Sequence, residues 1–315
     1  MFERMLAAVD DSARSSLVAE VACALAHQSG GALTLLRVRP RSDAGAVSAD
    51  DLELAERTRE LRAAGIAAHY LIHVGSPERQ IIETAKRQRA SLIVVGARGA
   101  GLWPPRRQRM SQRLLVSAPA PLLVIPAPDT AEQAPQSAQH GDEVFGAQDA
   151  PILAPLDGSD LAERSLPAAM AMARLLKRPL VLLRVASPLA TEKDLAGAWA
   201  SVEAARRRAR EHGGRDLQME TQVVSGATIQ EVLWAVEGRR AGALALTAVG
   251  ASDDGRLSAS HRHASAITRE LLSKAPIPAL VIPAAALEAS TSATEATTDG
   301  ADAARVAGEE MERIP

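Results

Sequence analysis

The chain has 315 residues, 47% of them hydrophobic and 2% aromatic, and a formal net charge of −2. Its length and apolar content suffice for the cores of two ordinary domains. The nearly balanced charge gives no field that would gather nucleic acid, and so few rings leave almost no stacking surface for single strands.

Taken in chain order, the first apolar run, MLAAV, ends at Val9 between the acidic residues Glu3 and Asp10. Neither this run nor any other uninterrupted apolar stretch approaches the length of a bilayer span, so a soluble, cytoplasmic protein without membrane contact is expected. A helical pattern over 13–28 carries Cys23, the only cysteine, which excludes an internal disulfide and reads as a small core residue in a reducing compartment. Strand-like runs then end near Val38, Val74, Val95 and Ile125, separated by helical patterns over 49–64, 77–89 and 109–117. From Ala127 to Ala150 the chain is rich in Pro, Gln, Ala and Asp and lacks Lys and Arg, the composition of an exposed linker. A second series of runs ends near Leu156, Val185, Val224, Ala248 and Ile282. Beyond residue 284 the Ala, Thr, Ser and Glu content predicts a disordered acidic tail, with a transient helix over 303–313.

The two series are copies. MLAAVDDS at 5–12 returns as ILAPLDGS at 152–159, and LLRV at 35–38 returns at 182–185, both at an offset of 147. Gly75 matches Gly226 at offset 151, and PLLVIP at 121–126 matches PALVIP at 278–283 at offset 157, so order is kept while loops change length. Strands separated by helices cannot pair as hairpins, and runs such as SLIVV and PLVLLRV without period-two alternation suit strands buried on both faces. The expected fold is α/β: two tandem doubly wound domains, each with a five-stranded parallel sheet flanked by helices. Domain 1 is placed at 1–127, the linker at 128–150, domain 2 at 151–284 and the tail at 285–315.

In such sheets ligands collect at the carboxyl ends of strands where strand order reverses. With the first and fourth strands adjacent there, Asp10 and Gly96 would line one crevice. Asp10 reads either as a ligand carboxylate or, with Asp11, as a helix-capping acid. Gly96 and Gly99 would let backbone amides approach an anion, and the helix starting near Gln108 offers its positive end. GARGAG has neither the P-loop signature nor the dinucleotide GxGxxG spacing, so neither enzyme class is supported.

The LAAVD strand, the LLRV strand, GSP before a helix, the SLIVVG strand with GxxG, and the final PxLVIP strand, in that order and in duplicate, resemble the universal stress protein family in its tandem form. The resemblance covers nearly all of 3–127 and 151–284. In nucleotide-binding members the loop G-x2-G-x9-G-[ST], with a further Ser or Thr, wraps the phosphates of ATP, while an Asp ending the first strand and a Val ending the second surround adenine and ribose. The resemblance carries these roles to Asp10, Val38, Gly96, Gly99 and Ser111 in the first copy. It places Asp157, Val185, Gly250, Ser265 and Thr268 in the second.

Against that pattern both loops are altered. Gln108 stands at the third glycine and Arg109 at the small hydroxyl, with eight residues, Ala100 to Arg107, between Gly99 and Gln108. Arg106, Arg107, Arg109 and Arg113 bring cationic donors instead, and read either as an anion contact or as a solvated helix start. In the second copy an ungapped match puts Thr247 and Gly250 at the first two glycines, and a gapped one puts Gly250 and Asp253 there. Counting back from Pro278 gives Ser265, Ala266 and Thr268 for the later positions, and Asp253 and Asp254 would repel a triphosphate unless a metal intervened.

His261 and His263 lack a third convergent ligand and read as loop residues, as His69 and His73 read as structural on their strand. Ser12 and Ser159 read as helix caps, Ser165 has no nucleophile context, and Arg206 to Arg210 form an exposed helical face beside Glu203 and Glu211. The apolar last strands need covering, and the resemblance implies that they pair with each other within one chain. The expected function is a non-catalytic stress-response regulatory or protective module with a degenerate adenine-nucleotide pocket and an unidentified protein partner. The alternative is a switch responsive to ATP or another adenine nucleotide, with Mg, in domain 1. No catalytic or metal-binding residue is assigned, and a homo-oligomer stays open.

Overall fold

The computed structural model describes residues 1–10, 13–39, 49–97, 108–126, 143–249 and 264–288, the side chains of 13–15, 49–50 and 108–111 excepted. The first repeat runs β1 (Arg4–Val9), α1 (Ala13–Ser29), β2 (Ala32–Arg39), α2 (Ala49–Ala63), β3 (Ala67–Val74), α3 (Pro77–Gln88), β4 (Leu92–Gly96), α4 (Gln108–Ser117) and β5 (Leu122–Ile125). The second runs β6 (Ile152–Leu156), α5 (Asp160–Glu163), α6 (Leu166–Leu176), β7 (Leu180–Ala186), α7 (Glu192–Ala209), β8 (Met219–Ser225), α8 (Thr228–Gly238), β9 (Ala243–Thr247), α9 (Ala266–Lys274) and β10 (Ala279–Ile282).

Local chemistry sets many of the boundaries. Pro77 opens α3, where its missing N–H costs nothing, and Arg89 ends the helix in the left-handed region. Thr191 and Asp194 cap α7 reciprocally, each side chain satisfying a backbone N–H of the other residue. Gly30 after α1, at φ +64, and Lys177 after α6, at φ 53, occupy the same turn at the 147-residue offset.

The ten strands form one sheet in the order β3-β2-β1-β4-β5-β10-β9-β6-β7-β8. Neighbours are parallel throughout except at the centre, where Ala279, Leu280 and Val281 of β10 pair antiparallel with Val124, Leu123 and Leu122 of β5. Each half is therefore a doubly wound parallel sheet whose order reverses beside β1 or β6, and the last strands of the two copies join them.

Alternate residues of each strand go to opposite faces. On one face Met5, Ala7, Leu33, Leu35, Leu92, Val94 and Leu123 pack with α1, α2, α6 and α7; on the other, Leu6, Leu36, Ile93, Val95 and Leu122 pack with α3, α4, α8 and α9. Both cores cross the β5–β10 junction, since Leu280 and Ile282 belong to the first and Ala279 and Val281 to the second. Corresponding helices thus share a face while strand direction reverses, which describes an approximate two-fold axis normal to the sheet. The carboxyl tips of the two halves point to opposite ends of the molecule.

The reading of an exposed linker as far as residue 150 needs correction at its end. Residues 143–145 form a single 3-10 turn and Phe145 is 1% exposed. The Arg178 guanidinium, 5% exposed, donates to the carbonyls of Phe145 at 2.8 Å, Gly146 at 3.0 Å, Ala150 at 3.1 Å and also Ala147. Gly242 lies so close that a Cβ there would meet the Phe145 carbonyl oxygen at 2.2 Å. Past β10, Ala284, Ala286 and Leu287 are buried as well, so the packed chain extends beyond residue 284. The rest of the expected linker and tail lies outside the described residues.

Candidate functional site

Each repeat places its site residues at strand tips, and the register fixes the correspondence between them. Asp10 follows β1 and Gly96 ends β4; β1 and β4 are hydrogen-bonded neighbours through Met5, Leu6 and Ala7. They flank the point where strand order reverses, with α4 beginning at Gln108. Val38 stands near the end of β2, half-buried and packed on the face that carries α3 and α4. The strand order brings Asp10 and Gly96 to adjacent strand tips. Gly99, Arg106 and Arg107 lie outside the described residues, as do His261, His263 and Gly250. For Arg109 and Ser111 only the backbone within α4 is described.

Among the described residues, nothing packs tightly enough on Gly96 to require a glycine there. A Cβ there would touch Val18 Cγ2 at 3.5 Å, an ordinary contact, and its backbone is not in the left-handed region. The described neighbours of Gly96 would accommodate a Cβ. In the second repeat the choice between two alignments is settled by pairing: Gly96 lies opposite Ile125, and Thr247 lies opposite Ile282. Thr247 is thus the counterpart of Gly96, as the ungapped match has it.

The second repeat's candidate residues are engaged with the protein itself. Asp157 accepts hydrogen bonds on Oδ1 from the backbone N–H of Ser159, at 2.9 Å, and from its hydroxyl. Ser159 in turn caps α5 by accepting from the Ala162 N–H at 3.1 Å. Ser265 caps α9, accepting from the Thr268 N–H at 3.4 Å. The Thr268 hydroxyl, in a side chain 5% exposed, donates to the Thr247 carbonyl at 2.9 Å. Val185 is half-buried on the same face as its counterpart Val38.

Two ionic groups near the first crevice escape a reading by motif. Arg37 Nε lies 3.6 Å and Arg39 Nη1 3.1 Å from the carboxylate of Asp51, with Arg37 and Asp51 buried and Arg39 partly so, the two arginines flanking Val38 in sequence. Glu78, in the first turn of α3, meets Arg113 Nε of α4 at 2.7 Å. Burial pushes the Glu78 carboxyl above its ordinary value, against the pull of Arg113. Arg113 is therefore committed to tying two helices together. Spacings of 14 and 35 residues across loops carry no periodic signal that could have announced either pair.

The remaining motif residues have local roles. His69 contacts Arg62 at 3.1 Å and His73 contacts Thr84 at 3.4 Å. Arg206 pairs with Glu203 at 2.6 Å, and Arg208 with Glu163 rather than with Glu211. Burial pushes the Cys23 thiol up to about 11, which keeps it protonated and unreactive at neutral pH. Among the described residues no group of three or more His, Cys, Asp or Glu is placed to hold a metal ion, and no helix is long and apolar enough to cross a membrane.

Comparison with known proteins follows the same outline. The model of the universal stress protein family matches residues 1–126. Among solved structures, a protein of unknown function from Pseudomonas aeruginosa PAO1 superposes with a TM-score of 0.65 at 17% identity, covering 91% of this chain and 95% of that one. A universal stress protein from Archaeoglobus fulgidus DSM 4304 gives a TM-score of 0.62 at 18% identity, covering 90% and 99%. The cytoplasmic domain of a prokaryotic cation chloride cotransporter gives 0.58 at 14% identity, covering 91% and 99%, so the same ten-stranded arrangement is used in more than one setting. No curated protein matches the chain. Residues 1–126 belong to the universal stress protein family, and the second half of the chain repeats their fold.

Proposed function

We propose that the protein is a non-catalytic regulatory or protective module of the stress response, acting through its surface toward a protein partner and folding without bound nucleotide. The observation that carries this reading is the engagement of the second repeat's candidate side chains: Asp157 with Ser159, Ser265 with the Thr268 N–H, and Thr268 with the Thr247 carbonyl. A triphosphate would have to break these bonds, each worth roughly 0.5–1.5 kcal/mol net, before gaining its own. Thr247 at the Gly96 position also puts a side chain where the family loop has none.

A second reading is supported by the first repeat, where no described neighbour packs tightly on Gly96 and Asp10 stands on the neighbouring strand tip. On that reading ATP or another adenine nucleotide, with Mg, binds at Asp10, Val38, Gly96, Gly99 and Ser111 and alters the surface shown to partners. Arg106, Arg107 and Arg109 would supply phosphate contacts that Gln108 and Arg109 deny to the backbone. Calorimetric titration of ATP and Mg into the wild type and Asp10→Ala separates the two. No saturable heat in either protein supports the nucleotide-independent module; saturable binding lost in the variant supports the switch.

A further inference from the structure

One flank of α7 is built from residues at helical spacing: Leu195, Trp199, Arg206 and Arg210, the last of these its helical C-cap. Trp199 is 45% exposed, although an indole is among the side chains that gain most from burial. The opposite flank is occupied, since Arg208 pairs with Glu163 and Ser201 lies against the Gly158 turn. Glu203, between Trp199 and Arg206, accepts from the Thr221 hydroxyl of β8, so the open flank runs along the outer edge of the sheet. The amino-terminal half of this flank is apolar. Its carboxyl-terminal half is cationic: Arg206, Arg207, Arg208 and Arg210 stand against Glu203 and Glu211, and Arg207 and Arg210 pair with no carboxylate among the described residues.

The course of the chain supplies an occupant. After β10, Leu287 is buried in the core that also holds Val202, Ala205 and Ala209 of α7, so the chain leaves on the face of the sheet that carries α7. The 27 residues that follow, 289–315, lie outside the described residues and carry six carboxylates against two arginines. Within them Ala304, Ala307, Met311 and Ile314 recur at the spacing of one helical face, with Glu309, Glu310 and Glu312 around it. The corresponding helix of the first repeat, α2, lies on the same face but has five carboxylates against three arginines, and would repel such a segment. From β10 to β8 is four strand spacings, about 20 Å, and residues 289–303 reach about 20 Å as a flexible chain. We propose that residues 304–314 dock within their own chain as an amphipathic helix on the outer flank of α7. The apolar stripe covers Leu195 and Trp199, and the carboxylates meet Arg206 and Arg210. The tail is then a built-in competitor for this flank, whether or not nucleotide binds the first repeat.

Amide hydrogen exchange of the full chain, read by mass spectrometry at a low and a high protein concentration, tests the docking. In the wild type the amides of 304–314 should exchange at least about tenfold more slowly than those of an unstructured peptide, equally at both concentrations. They should exchange at the unstructured rate in Trp199→Ala and in the double variant Arg206→Glu, Arg210→Glu. Adding Glu309→Arg, Glu310→Arg and Glu312→Arg to that double variant should restore slow exchange, and Leu52→Ala on α2 should leave it unchanged. Circular dichroism establishes that each variant is folded, and the charge reversals carry the test if Trp199→Ala is not. Exchange of 304–314 at the unstructured rate in the wild type, or slow exchange that survives both α7 variants, overturns the proposal. So does protection seen only at high concentration, which would make the occupant the tail of a second copy.

Discussion

The Thr268 hydroxyl, in a residue 5% exposed, donates to the Thr247 carbonyl, and its role can be separated from nucleotide binding by one substitution. Thr268→Val keeps the shape and removes the donor, leaving a buried carbonyl short of a partner. Stability should fall by about 1–2 kcal/mol in denaturant unfolding. A change in ATP affinity with stability intact would instead assign the hydroxyl to phosphate. Glu78 makes a prediction in pH. Its carboxyl titrates above the ordinary 4.5 because burial outweighs the attraction of Arg113, so the folded state holds its proton more tightly than the unfolded chain. Below 4.5 both states are protonated and the shift contributes nothing; as pH rises through the folded value, ionisation costs the folded state. Glu78→Gln should therefore unfold at higher denaturant than wild type at neutral pH, the two converging below 4.5. Lys177 holds a left-handed conformation at φ 53 where the first repeat uses Gly30, so Lys177→Gly should raise stability by roughly 0.5–1 kcal/mol in the same assay.

At the scale of elements, the strap before β6 is held by Arg178 and admitted by Gly242. Gly242→Ala would drive a Cβ to 2.2 Å from the Phe145 carbonyl oxygen, backbone that cannot swing aside as a side chain does. A loss of about 1–3 kcal/mol is expected, typical of overpacking, measured by denaturant unfolding. The strap also shows where sequence reading runs out. Strand and helix positions were legible to within a residue or so at Val9, Val74 and Ile125, because short apolar runs and caps are local signals. The strap was not, because a Pro- and Gln-rich composition carries no signal of one Phe finding an arginine 33 residues away. The candidate site divides in the same way. The adjacency of Asp10 and Gly96 followed from strand order, whereas the engagement of Asp157, Ser265 and Thr268 depends on partners and rotamers that no spacing encodes. The Thr247 register needed the pairing of Ile282 to become visible.

Over the whole molecule, the antiparallel β5–β10 junction merges two copies into one sheet with two cores that each span both repeats. The strand tips that carry the candidate residues then face opposite ends of the sheet, so any influence of one set on the other must cross the central strands. A body built this way should unfold as one unit, since separating the halves would expose Leu123, Leu280 and Val281, all fully buried in the fold. Differential scanning calorimetry of the full chain, with and without saturating ATP and Mg, tests both the joined fold and the weakened hold on triphosphate. A ligand at a hundred times its dissociation constant adds about 2.7 kcal/mol to the folded state, and hence roughly 5–10 °C to the midpoint of a domain this size. The account predicts a single transition whose midpoint ATP does not move; two resolved transitions, or an upward shift of several degrees with ATP, would contradict it.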